Sequence, residues 1–98
     1  MNVNINSVHF KADSKLENFI IAKLQKLKNL YDGIIGSEVV LKLENTEEKE
    51  NKTVDIRLLL NGYDLMATKQ AKTFEEAADD AINAIRKQLI KHKEKQKQ

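Results

Sequence analysis

Residues 53–71, TVDIRLLLNGYDLMATKQA, constrain the fold more than any other stretch of the chain. Val54, Ile56, Leu58 and Leu60 alternate with Asp55, Arg57 and Leu59, the period of two of a strand with one buried face. Asn61-Gly62 follows, and Tyr63, Leu65 and Ala67 resume the alternation on the same core face. An Asn-Gly pair between two such runs predicts a two-residue hairpin of type I′, because that turn needs positive φ at both central residues. The hairpin needs neighbours, and residues 38–44, EVVLKLE, supply a third strand with Val39, Leu41 and Leu43 inward. These three strands read as an antiparallel meander with one half-exposed face, so helices must cover the other.

Two helices are available. ADSKLENFIIAKLQKLKNLYDG, residues 12–33, carries Leu16, Phe19, Ile20, Leu24, Leu27, Leu30 and Tyr31 at spacings of one, three and four. Asp13 or Ser14 is placed to cap it, with Glu17 completing a capping box from Ser14, and Gly33 stands where a C′ glycine would stop it. The second helix begins after Thr73, an N-cap with Glu76 as its capping-box partner, and buries Phe74, Ala78, Ala81, Ile82, Ile85 and Leu89. At the start of the chain Val3 and Ile5 alternate with asparagines, then Val8 and Phe10 fall on the opposite parity. A short strand with a turn or bulge near Asn6-Ser7 would account for that. Residues 45–52, NTEEKENK, read as a polar loop. The expected fold is α+β, ordered β-α-β-β-β-α, with a four-stranded sheet and two helices on one face.

Ninety-eight residues at 41% hydrophobic content suit one domain, here residues 1–98. Without cysteine there is neither a disulfide framework nor a thiolate metal site. The start MNVNINSVHF has no basic segment leading an apolar one, and no apolar run approaches membrane-spanning length, so a soluble, cytoplasmic protein is expected. The net charge of +2 conceals a segregation. Residues 11–31 carry five lysines against two acids, residues 32–80 twelve acids against six bases, and residues 81–98 six bases against Glu94. The final IRKQLIKHKEKQKQ thus holds more positive charge than a helix C-terminus can use for its dipole, and the excess suggests an anionic partner.

Catalysis is the poorer reading. His9 and His92 are more simply packing residues, and Glu75, Glu76, Asp79 and Asp80 complement the positive end of the second helix. There is no phosphate loop, no Ser-His-Asp spacing and no metal-ligand motif; no cofactor, metal or small-molecule substrate is expected. The aromatics Phe10, Phe19, Tyr31, Tyr63 and Phe74 mostly fit the core, which leaves no evident platform for stacking bases. An RNA target would then be read by phosphate charge and shape. At ~100° per residue, Lys15 and Lys26 lie within about 20° of each other, and Lys23 flanks the apolar stripe. Arg86, Lys93 and Lys97 fall on one flank of the second helix's stripe, with Lys87 and Lys91 on the other side. Two helices side by side could enclose a positive groove; a solubilising lysine face is the plainer alternative.

The whole chain resembles the short ribosome hibernation-promoting factors, also called ribosome-associated inhibitors or sigma-54 modulation proteins. NINSVHF, AKLQKLKNLYD, VVLKLE, LNGYDLMA and RKQLIKHKEK stand in family order, and KLQKLKNLYD and QLIKHK are the most specific pieces. The resemblance implies a fold similar to a double-stranded RNA-binding domain with an added first strand. It implies binding to the small ribosomal subunit and its rRNA in the channel used by mRNA and tRNA, which stops translation and protects idle ribosomes. By position, Lys23 and Lys26 match the family's first-helix lysines, and Lys87, Lys91 and Lys93 its basic C-terminal set, with Arg86 compensating for Ala84 where a lysine is frequent. Glu75 replaces a common tyrosine and Val8 a common arginine. A monomer when free is expected, without the further C-terminal domain of long family members. A general binder of structured RNA, or a protein-interaction module using Val40, Leu59 and Met66 on the open sheet face, are the alternatives.

Overall fold

The computed structural model describes residues 1–44, 46–47 and 49–96, the last by its backbone alone. Asn45 and Glu48 of the polar loop, and Lys97, lie outside the described residues. The elements are β1 (Asn2–Val8), α1 (Ser14–Gln25), β2 (Ile34–Leu43), β3 (Lys52–Leu60), β4 (Tyr63–Ala71) and α2 (Phe74–Gln96), with a 3₁₀ turn over Lys26–Asn29. The sheet order is β1-β2-β3-β4, parallel between β1 and β2 and antiparallel elsewhere. A parallel pair needs a crossover, and α1 provides it. The inward residues Val39, Leu41, Val54, Ile56, Leu58 and Leu65 pack with Ile20, Leu24 and Leu27 from the first helical segment and Ile85 and Leu89 from α2 in one core. Ser37 is the buried polar side chain there, and its Oγ donates to the Arg57 carbonyl at 3.2 Å.

Several local expectations are corrected. β1 pairs without interruption from Asn2↔Gly36 to Val8↔Lys42, so there is no bulge at Asn6-Ser7. Val8 therefore stays on the face opposite Val3 and Ile5, and the chain turns after it at His9, whose φ of 70° is a left-handed conformation that histidine tolerates better than most residues. That turn sends Phe10 onto Phe74, ring centroids 4.5 Å apart and stacked. The irregularity in pairing lies in β2, where the register shifts between Ile34 and Gly36 and leaves Ile35 61% exposed. β2 also begins at Ile34, four residues before the alternating run at 38–44.

Asp13, not Ser14, caps α1: its Oδ1 accepts the Leu16 N–H at 2.8 Å, and its carbonyl accepts the Glu17 N–H at 3.1 Å. Ser14 is the first helical residue, so a capping box from Ser14 to Glu17 is not the arrangement used. Replacing the cap, Asp13→Ala, is expected to cost about 1 kcal/mol. A thermal melt should show it as a drop of roughly 4–8 °C for a domain of this size. At Thr73 the expected cap is present, with its Oγ1 accepting the Glu76 N–H at 3.1 Å.

The α-helix ends at Gln25 and not near Gly33. Leu24, Leu27 and Leu30 recur every three residues, and a 3₁₀ turn is the helix that keeps such a row facing one way. Lys28 closes the segment by donating from Nζ to the carbonyls of Asp32 and Ile34, both at 3.0 Å. Gly33 lacks positive φ, so it is not a C′ cap; a Cβ there would lie 2.5 Å from Cε2 of Tyr31, and the glycine makes room for that ring. The Asn61-Gly62 connection is two residues long, closed by Leu60↔Tyr63, but only Gly62 has positive φ, at 73°. It is therefore not type I′; the signs match a type II turn, which asks for glycine at the second central position alone.

Strand pairing also fixes the direction of the helices. Since β1 and β2 are parallel, α1 runs antiparallel to both. Two antiparallel steps make β4 parallel to β2, and α2 returns antiparallel to β4. The helices are thus parallel to each other, and their negative C-terminal ends point the same way.

Candidate nucleic-acid interface

Contacts between the helices agree with that direction. Near the start of α2, Lys23 Nζ lies 3.2 Å from Asp79 Oδ1; further along, the rings of Tyr31 and His92 meet edge to face at 5.5 Å. Lys26 lies between Lys23 and Tyr31 in the chain, and so between the levels of Asp79 and His92 on α2. The acids Glu75, Glu76, Asp79 and Asp80 sit at the N-terminal end of α2, and the cations at its C-terminal end. The helix layer is therefore polarised along its length. Lys26 and Lys28, which follow Lys23 in the chain, lie toward the same end as the cations of α2, whereas Lys11 and Lys15 lie at the acidic end.

The six expected site residues are not one groove. Lys23 is half-buried, sits 5.5 Å from the Phe19 ring centroid, and shares its charge with Asp79; their side chains are 39% and 46% exposed. A pair so open to water contributes about 0–1 kcal/mol, but it does lower the positive potential at that point. Lys26 and Arg86 are exposed on the side where the helices meet, and Lys93 is half-buried there beside Leu30, Leu89, Ile90 and Glu94 around a cavity of about 190 Å³. Lys87 is exposed and, at 100° per residue, falls on the outer crest of α2. Lys91 turns to the other side, where with Lys95 it lines a groove against β4. Gln88 anchors that side by donating from Nε2 to the Met66 carbonyl at 2.8 Å. Among the described residues, Lys26, Arg86, Lys87 and Lys91 have no ion-pair partner, so they offer the most available charge.

The β4 side holds a feature that strand periodicity does not reveal. Tyr63 has core-face parity, yet it is 55% exposed and stacks on His92, with ring centroids 5.2 Å apart and planes 9° apart. His92 is thus clasped between Tyr31 and Tyr63, a packing role. Parity alone could not show that Tyr63, the first residue of β4, stands where the sheet stops and α2 runs on. The position of Tyr63 directly after the turn was the available signal.

Among the described residues no group of histidine and carboxylate side chains is placed to hold a metal ion, and no helix is long and apolar enough to cross a membrane. The open sheet face carries Glu38, Asp55 and Arg57 around the apolar Val40 and Met66.

Comparison with known proteins locates this arrangement in a family. The family described as sigma 54 modulation protein / S30EA ribosomal protein matches residues 3–97. The ribosome hibernation promoting factor of Escherichia coli K12 is 35% identical over 98 residues, covering the whole of this chain and 99% of its own length. The factor of the same name from Pseudomonas putida KT2440 is 29% identical over 96 residues, which is 98% of this chain and 90% of the relative. Two solved structures share the fold. A ribosomal subunit interface protein from Coxiella burnetii superposes with a TM-score of 0.83 at 18% identity, covering 95% of this chain and 98% of its own. The N-terminal domain of Thermus thermophilus Protein Y does so with a TM-score of 0.77 at 20% identity, covering 90% and 94%. With a match running almost from end to end, the chain belongs to the sigma 54 modulation protein / S30EA ribosomal protein family.

Proposed function

We propose that the protein is a ribosome hibernation factor that binds the small subunit in its mRNA and tRNA decoding channel and silences translation by occupying it. The observation that carries the reading is the full-length match to a relative named for ribosome hibernation. The polarised helix layer supports the mode of binding. Exposed Lys26, Arg86, Lys87 and Lys91 at the C-terminal end of two parallel helices suit the phosphates of folded rRNA. Lys23 and Lys93, half-buried, are placed for contacts closer to the interhelical seam. No chemical step is required of the protein; it acts by exclusion, in the cytoplasm, as a monomer when free.

The alternatives have less in their favour. A plain duplex-RNA binder does not account for the likeness to factors named for the ribosome. Binding of a protein through the sheet face would need an apolar surface, and that face is interrupted by Glu38, Asp55 and Arg57.

Co-sedimentation with vacant small subunits tests the proposal, repeated after preloading them with mRNA and initiator tRNA. The expected result is pelleting with vacant subunits that is lost on preloading and falls steeply with salt. Pelleting that survives preloading would place the protein elsewhere on the ribosome and refute the occlusion mechanism.

A further inference from the structure

The groove between α2 and the free edge of β4 has the parts of a base-stacking site. It encloses about 450 Å³ and is lined by Tyr63, Leu65, Gln88, Lys91, His92 and Lys95. Its volume falls within the roughly 300–1,000 Å³ of small-ligand sites. Three rings run toward it in series: Tyr31 edge-on to His92, and His92 stacked on Tyr63. The series ends at a ring that is 55% exposed. Tyr63 ends the stack in solvent, held in plane by the histidine beneath it.

The charges around it are of one sign. Lys91 and Lys95 line the groove, and among the described residues no carboxylate does. Asp64, next to Tyr63, belongs to the opposite face of β4 by strand alternation. Glu94 lies on the other side of α2, toward Leu30. A flat ring with cations beside it is the combination that holds an unpaired nucleotide, with the base on the ring and the flanking phosphates on the lysines.

We infer that this groove is a subsite for one unpaired RNA base, stacked on Tyr63, with the adjoining phosphates held by Lys91 and Lys95. It deepens the RNA-binding reading above and rests on it. It also departs from the expectation that the protein reads RNA by charge and shape alone, because a stacked base must be out of a helix. The occupant is a single-stranded segment, a bulge or an extruded nucleotide, and not a continuous duplex.

The chain has two tyrosines and no tryptophan, so tyrosine emission reports directly on the stack. The probes are single-stranded hexaadenylate RNA, a blunt RNA duplex with the same number of phosphates, and inorganic polyphosphate, all at low ionic strength. Hexaadenylate should quench the emission, and the other two should not. The quench should persist in Tyr31→Phe and largely vanish in Tyr63→Phe, since Tyr63 is the emitter in contact. Affinity for a labelled hexaadenylate should be within about twofold of wild type in Tyr63→Phe, which keeps the ring, and should fall roughly tenfold in Tyr63→Ala. If Tyr63→Ala does not melt cooperatively, Tyr63→Leu replaces it, keeping an apolar cover over His92 without an aromatic face.

Equal affinity of the Tyr63→Phe variant and the ring-less variant would overturn the inference, as would the absence of any quench by hexaadenylate. Pelleting the same preparations with small subunits separates the two proposals. Wild-type pelleting without a Tyr63 effect on hexaadenylate removes the stacking site and leaves the ribosome reading intact. A Tyr63-dependent quench without pelleting supports the site and refutes the ribosome reading.

Discussion

Reversing two charges together, Lys23→Glu and Lys91→Glu, should abolish co-sedimentation with small subunits while the variant still unfolds in one cooperative transition. The two lysines lie on opposite sides of α2, so the double variant places repulsion at both margins of the proposed surface. For each phosphate no longer neutralised, the slope of log affinity against log salt should also shrink by roughly 0.7–0.9. Stability should change far less than binding. Lys91 is exposed, and the Lys23–Asp79 pair is open enough to water to contribute about 0–1 kcal/mol. Lys91→Glu alone should give the cleaner partial loss, because Lys91 has no ion-pair partner among the described residues. Wild-type pelleting by the double variant would refute the assignment of these helices to the ribosome.

The second large effect is on folding. Ile85 is fully buried on the α2 stripe, between the helix layer and the sheet. Ile85→Ala should cost about 2–5 kcal/mol through reduced burial and the cavity it leaves. That is a large share of the roughly 5–15 kcal/mol that a domain of this kind has in all. Urea titration should show a lower midpoint with an unchanged slope; a changed slope would mean that the unfolded or native state had altered as well. The variant also serves as a control for the charge reversals. Ile85 immediately precedes Arg86 and Lys87, so any loss of ribosome binding in Ile85→Ala should disappear under conditions where it is fully folded, whereas that of Lys23→Glu with Lys91→Glu should not.

The elements themselves were legible because their signals are local. Alternation at Val54–Leu60, the Asn61-Gly62 pair, and the three- and four-residue spacing from Phe74 to Leu89 each act within a few residues. The failures arose where a local pattern has more than one tertiary solution. The parity change between Ile5 and Val8 suggested a bulge, but the ladder is unbroken: Val8 stays on the face opposite Val3 and Ile5, and the left-handed residue at His9 redirects only Phe10 to the core. Gly33 suggested a helix stop, whereas its lack of a side chain serves the Tyr31 ring two residues back. Leu24, Leu27 and Leu30 belonged to one apolar stripe in either case, and only the backbone distinguishes an α-helix from the 3₁₀ turn that follows it.

The candidate site divides in the same way. Residue types and spacing identified the cations, and placed Arg86 and Lys93 on a different side of α2 from Lys91. They could not reveal that Lys23 meets Asp79, or that Tyr31 and Tyr63 both meet His92, because those partners lie 56, 61 and 29 residues apart in the chain. By itself the sequence determined which faces are buried, where the hairpin turns and which segments are basic; each follows from the geometry of a few consecutive residues. The tertiary structure alone decided that the two helices run parallel, so that the end of the first basic segment lies toward the basic end of the second helix. Periodicity records that a face is covered, not by what or in which direction, and direction depends on the pairing of β1 with β2 across more than thirty residues.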